Sequence, residues 1–169
     1  MQNPVEPGGL RATIAALTLG LSICGGAATA STCTTLPNAA AEMADVGAML
    51  NAVRGAKSRV PLARNAALDA AAQAHACDVA ANGVTGIKGS DGSTPKSRVI
   101  ARGYKPCLTQ QIQAVGPAYG GDAMALWFGN KQGGRATILN RLVKSYGLGI
   151  AMAGQRPVWV LIVGRSCSS

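Results

Sequence analysis

Aromatic side chains are scarce: one Phe, two Trp and three Tyr make up 4% of 169 residues. Base stacking therefore has almost no platform, and nucleic acid is not an expected partner in spite of the positive charge. Histidine is scarcer still, His75 alone. A Ser, His and Asp triad would have to use it, and no G-x-S-x-G elbow accompanies it. The cysteines never occur as C-x-x-C, so a site of four thiolates lacks its paired spacing. A cysteine nucleophile fails as well, because His75 and Cys77 are two apart on a helix and point to different faces. The glycines at 86, 89 and 92 come without the lysine and hydroxyl pattern of a phosphate loop. No apolar run reaches the roughly 20 residues that span a bilayer.

What is present begins with an export signal. Leu10 to Ile23 is an apolar run opening with Arg11, and Ala28-Thr29-Ala30 behind it has the form that signal peptidase accepts. Residues 1–30 are read as a signal peptide, cleaved before Ser31, and residues 31–169 as a single domain. The alternative of a lipid-modified Cys24 is opposed by the bulky Ile23 in front of it. About 139 residues remain, the size of one ordinary domain. The expected location is secreted or cell-envelope, with no membrane span after cleavage.

Four cysteines stay in the mature chain, an even number in an oxidising compartment, so two disulfides are expected. Three pairings are possible; Cys77 with Cys107 and Cys33 with Cys167 is the favoured one, closing the middle of the domain and tying its ends. Losing Arg11 and Glu6 with the signal leaves the net charge at +9. Cations group loosely: Arg54, Lys57, Arg59 and Arg64; Lys96, Arg98, Arg102 and Lys105; Lys131, Arg135, Arg141 and Lys144. A surface of this sign attracts anionic lipid headgroups or acidic wall polymers.

Periodicity predicts a helix over Pro37–Arg54, with Met43, Val46, Met49, Leu50 and Val53 at helical spacing. A stronger one follows over Ala66–Ala81, carrying Leu68, Ala72, His75 and Val79 on one stripe and leaving through Asn82-Gly83. Thr94-Pro95 fits an N-cap and first position for a third helix to about Arg102. Leu108–Val115 alternates like a strand, and Asp122–Asn130 is a further helix containing Ala125, Leu126, Trp127 and Phe128. Tyr146–Ala153 and Val158–Val163 form a hairpin across Gly154-Gln155-Arg156-Pro157.

Several stretches, in order, resemble the CAP superfamily, also called SCP or PR-1-like, in its compact bacterial form. They are Leu50-Asn51-Ala52-Val53-Arg54 (L-N-x-x-R), Leu68 to Ala76 (the A-L-x-x-A-A-Q-x-H-A helix), Gly89-Ser90-Asp91-Gly92-Ser93 with Arg98 and Ala101 to Tyr104, and Arg135 to Leu139 (R-A-N-I-L). Gly147 to Ala151 and Pro157 to Val160 resemble the family's last two strands. The resemblance implies an α+β fold, an alpha-beta-alpha sandwich whose central antiparallel sheet is flanked by helices, with a cleft of two histidines and acidic partners.

This chain departs from that pattern at the cleft. Ile87 stands where the first histidine belongs, Gly134 where the second does, and Gln111 is aligned with the cleft glutamate. Ile, Gly and Gln supply no strong donor within the roughly 2 Å a metal needs, so no metal, catalytic residue or cofactor is expected. His75 is read as a helix-packing histidine bonded to a neighbour, with Asp78 three residues on able to orient it. The expected function is a secreted, monomeric, non-catalytic module binding a lipid, a cell-envelope polymer or a protein. The alternative is a hydrolase of wall or protein substrates, which requires carboxylates such as Asp91 or Asp122 to converge roughly 5 to 9.5 Å apart in an open groove.

Overall fold

The computed structural model describes residues 33–129 and 133–167. The expected signal at 1–30 lies outside them. Among the described residues nine elements follow one another: α1 (Ala39–Gly55), β1 (Ala63–Arg64), α2 (Ala66–Asn82), α3 (Pro95–Ala101), β2 (Pro106–Val115), α4 (Gly120–Gly129), α5 (Gly134–Ile138), β3 (Ser145–Ala153) and β4 (Arg156–Ser166).

Helix ends form where the side chains dictate. The Asn65 side chain caps α2 by accepting from the amides of Ala67 and Leu68 at 3.0 and 3.2 Å, and Gly83 closes it in the left-handed region at φ 65°. Thr94 and Ser97 form a reciprocal capping box on α3 with Pro95 in its first turn. β3 and β4 join through Gly154-Gln155, with Gly154 at φ 63°, so β4 starts at Arg156, earlier than Val158.

The strands lie in the order β1-β3-β4-β2. The three long strands pair antiparallel as expected, and a two-residue β1 joins β3 in parallel. Side chains alternate between faces along a strand, and here both faces are covered. Trp159, Leu161 and Val163 of β4 enter one core with Val46 and Leu50 of α1 and Trp127 of α4. Val158, Val160 and Ile162 enter the other with Leu68, Ala72 and Val79 of α2. The result is the α-β-α sandwich. Leu126, placed within the α4 helix by sequence, is 52% exposed there.

α2 lies directly on β3. A Cβ on Gly147 would overlap the backbone at Leu68 and Asp69, and one on Gly149 the backbone at Ala72 and Gln73. Glycine in the strand and alanine on the helix bring the two backbones together. Gln73 fixes the pair, donating to the Ile150 carbonyl at 2.7 Å and accepting from its amide at 3.1 Å.

The disulfide pairing differs from the one favoured above: Cys33 bridges Cys77 and Cys107 bridges Cys167. The β2/β4 ladder is the physical reason for the second. It sets Pro106 opposite Ser166 with a register irregularity at Cys107, and Cys107 and the residue just after β4, Cys167, lie 4.9 Å apart between Cα atoms, within bridging range. Cys77 is buried on α2, where Cys33 reaches it with 5.5 Å between Cα atoms; the chain entering there is tied to β3 by Met152 N–H donating to the Thr34 carbonyl at 2.9 Å.

Candidate functional site

Two stripes divide α2. Leu68, Ala72, His75 and Val79 face the sheet, while Ala74, Cys77, Asp78, Ala81 and Asn82 repeat at helical spacing on the outer side. The outer stripe, the loop residues Ser90, Asp91 and Ser93, and Ser97, Arg98, Ala101 and Arg102 of α3 line an open groove of about 700 Å³. Ala, Cys, Asp and Asn do not announce a functional face by hydropathy, so sequence periodicity missed it. The signal that could have found it was position: two short polar motifs at the end of the strongest helix and the start of the next.

Asp78 anchors the loop to the helix. It accepts from the Ser90 amide at 2.8 Å, from the Ser90 hydroxyl, and from Asn82 Nδ2 at 2.8 Å. Burial alone would raise its carboxyl; the hydrogen bonds from Ser90 and Asn82 outweigh that and hold it below the usual carboxylate range. Asp91 accepts from the Ser93 amide at 2.8 Å, and its bonds from Ser93 likewise keep it low. Gly89 sits between them with no room for a side chain, since a Cβ there would come 2.6 Å from Asp91 Oδ1 and Ser93 Oγ.

Arg98 forms the opposite wall. Its guanidinium donates to the Ser93 carbonyl at 2.9 Å, the Ser93 hydroxyl at 3.0 Å, the Ile87 carbonyl at 2.7 Å and Gln111 Oε1 at 2.9 Å. One cation thereby joins the loop to β2. Among the described residues no carboxylate touches it, and burial lowers its pKa.

His75 is sealed underneath, with no exposure to solvent. Its Nε2 lies 3.1 Å from the Gly86 carbonyl and 2.9 Å from Gln113 Oε1. A carbonyl only accepts, so Nε2 carries the proton. Nδ1 faces Asp78 Oδ2 at 3.9 Å, beyond hydrogen-bond range. Burial, then the charge of Arg98, lowers the imidazole pKa. The packing histidine bonded to neighbours is thus observed, with Asp78 beside it; Gln113 as its partner was not foreseen.

The three cleft positions do not come together on one face. Ile87 and Gln111 meet at Arg98 on the α2/α3 side, with the Ile87 side chain half exposed. Gly134 opens α5 in the other helical layer, packed so tightly that a Cβ would overlap the Trp127 backbone. The neighbouring Gln110 points to that second layer and accepts from Asn140 Nδ2 at 2.7 Å. A metal does not fit these residues: Ile87 and Gly134 carry no donor, and the Gln111 amide oxygen is already held by a guanidinium. Among the described residues no group of three His, Cys, Asp or Glu is placed to hold an ion.

The carboxylates named for hydrolysis are also separated. Asp91 is in the groove, whereas Asp122 sits in the first turn of α4 across the sheet. Asp78 and Asp91 do share the groove, but both are held below the ordinary range, so neither is kept protonated to act as a general acid near neutral pH.

The fold has relatives. An outer surface protein from Borrelia burgdorferi superposes with a TM-score of 0.71 at 15% identity, covering 80% of this chain and 100% of that one. An extracellular protein containing an SCP domain from Bacillus anthracis gives 0.67 at 18% identity, over 80% of this chain and 45% of that one. A cysteine-rich secretory protein from Staphylococcus aureus gives 0.60 at 18%, over 74% of this chain and 39% of that one. The chain thus spans less than half the length of the last two. A search of the curated proteins finds no match. The sequence model of the CAP, or cysteine-rich secretory protein, family matches residues 48–163, more than half of the sequence, and the chain belongs to that family.

Proposed function

We propose that this chain is an extracytoplasmic, non-catalytic binding module whose ligand sits in the groove between α2 and α3. The groove itself carries the reading: about 700 Å³, open, and lined by Ala74, Ala81 and Ala101 together with serines, Arg98, Arg102, Asp78 and Asp91. Its polar groups are held in place by Asp78 and Arg98, an arrangement suited to presenting a fixed surface. The single imidazole is spent below it on Gly86 and Gln113. The relatives described as outer surface, extracellular and secretory support the location. The ligand classes that suit the groove are an anionic cell-envelope polymer, a lipid or a protein segment.

The test is a thermal-shift titration with zinc, calcium, fatty acids or sterols, and anionic wall fragments. Stabilisation by lipid or wall fragment is expected, lost in Ala101→Trp, which fills the groove from an exposed position. Stoichiometric stabilisation by zinc, or turnover of a wall substrate, would overturn the reading.

A further inference from the structure

We infer that the end of the molecule built from residues 56–62 and 139–144 is a docking surface for an anionic lipid bilayer. Arg54 clamps the two loops together from inside: Nε donates to the Val60 carbonyl at 2.9 Å, and one terminal nitrogen donates to the Ile138 and Asn140 carbonyls at 2.6 and 3.0 Å. Arg59 adds a bond to the Leu139 carbonyl at 3.1 Å, and the Ala63 amide donates to the Lys144 carbonyl at 3.0 Å. The loops are therefore one surface.

Its composition is what a membrane attracts. Leu62 and Val143 turn inward to the core, whereas Val60 and Leu142 are 66% and 56% exposed. Asn140 Oδ1 accepts from the Leu142 amide at 2.8 Å and fixes the chain where Leu142 projects. The same two loops carry Lys57, Arg59, Arg141 and Lys144, and neither contains an acid. Arg64, the next cation along the chain after Arg59, is paired with Asp69 at 3.0 Å. Unopposed cations draw the surface to acidic headgroups, at about 1 kcal/mol each. The aliphatic pair discriminates among polyanions: a soluble acidic polymer leaves Val60 and Leu142 in water, while a bilayer buries them below its headgroups.

The surface extends the binding-module reading, on which it rests, by giving the module an orientation. α2 starts beside this end at Ala66 and runs along β3, so at 1.5 Å per residue Asp78 lies about 18 Å further on. Docking here leaves the Asp78 wall of the groove about that far from the bilayer.

Cosedimentation with phosphatidylcholine vesicles, with and without phosphatidylglycerol, tests it. Every variant keeps the same residues ahead of Cys33, so differences report this surface alone. The parent protein should bind only the phosphatidylglycerol vesicles and leave them at about 0.5 M salt, where charges are screened within a few ångströms. Lys57→Gln with Arg141→Gln should weaken binding about thirtyfold, two cations at the value above. Val60→Ser with Leu142→Ser should weaken it at least about tenfold. Equal binding to both vesicle types, or none to the acidic ones, overturns the inference; so does full affinity in the serine pair, which would make the surface a polyanion site. Ala101→Trp separates the two readings, since it should abolish groove binding and leave vesicle binding intact.

Discussion

Burial and the charge of Arg98 hold the His75 imidazole below its ordinary value of 6.5, so at mildly acidic pH the unfolded chain takes up a proton that the folded chain refuses. A lowered histidine costs nothing above pH 6.5, where both states are neutral, and costs progressively more as pH falls from there towards the folded value. The parent protein should therefore lose thermal midpoint between about pH 7 and pH 5 relative to His75→Gln, which lacks the titration; parallel curves would show that the imidazole is not held down. Asp78 acts in a lower window. Its lowered carboxyl contributes stability above 3.8, lost as pH falls further through its folded value. Arg54 offers a second residue-scale test. It is 1% exposed and gives its bonds to three carbonyls rather than to an acid. Arg54→Ala leaves Val60, Ile138 and Asn140 without their donor, at about 1 to 3 kcal/mol for each acceptor left buried. A loss of about 3 kcal/mol or more is expected in urea unfolding. Arg54→Lys should recover only part of it, since an ammonium lacks the planar fork.

Elements long enough to show a period were legible in the sequence. α1, α2 and β2 declare themselves by spacing, while Gly83 marks the end of α2 and Thr94-Pro95 the start of α3 by chemistry; the Asn65 cap of α2 was not foreseen. β1 and α5 were not legible, because two and five residues contain no full period; they exist because β3 and α4 stand ready to receive them. The groove was half legible. Ser90, Asp91 and Arg98 belong to the stretch that carried the family resemblance, yet their bonding depends on Asp78 and Gln111, brought in by α2 and β2. Gly134 shows the same limit. Sequence marks it as a missing histidine, while the structure makes glycine a packing requirement, since α5 turns against the Trp127 backbone with no space for a Cβ. Restoring the two histidines should therefore have unequal effects. Ile87→His, on a half-exposed side chain, should change stability by about half a kcal/mol or less. Gly134→His should cost about 1 to 3 kcal/mol by overpacking α4 against α5. Equal, small changes in thermal midpoint would mean that α5 gives way without cost.

Both disulfides connect a terminal segment outside the family match to the body within it. Cys33 precedes the matched span of residues 48–163 and Cys167 follows it, while Cys77 and Cys107 lie inside. The bridges therefore fasten the segments on either side of the matched span to the sandwich inside it. The favoured pairing, end to end and middle to middle, failed because strand register is settled by contacts far apart in sequence. Opening a loop of 44 or 60 residues restores chain entropy to the unfolded state, and losing a native bridge costs about 2 to 5 kcal/mol. For a domain of this size that is on the order of ten degrees in thermal midpoint. Cys33→Ser with Cys77→Ser and Cys107→Ser with Cys167→Ser should each lower the midpoint by such an amount, with the first pair also loosening the groove that Cys77 lines. Peptide mapping without reductant should recover fragments joined as Cys33–Cys77 and Cys107–Cys167. Fragments joining Cys77 to Cys107 would contradict the pairing in which the start of β2 is bridged to the residue that follows β4.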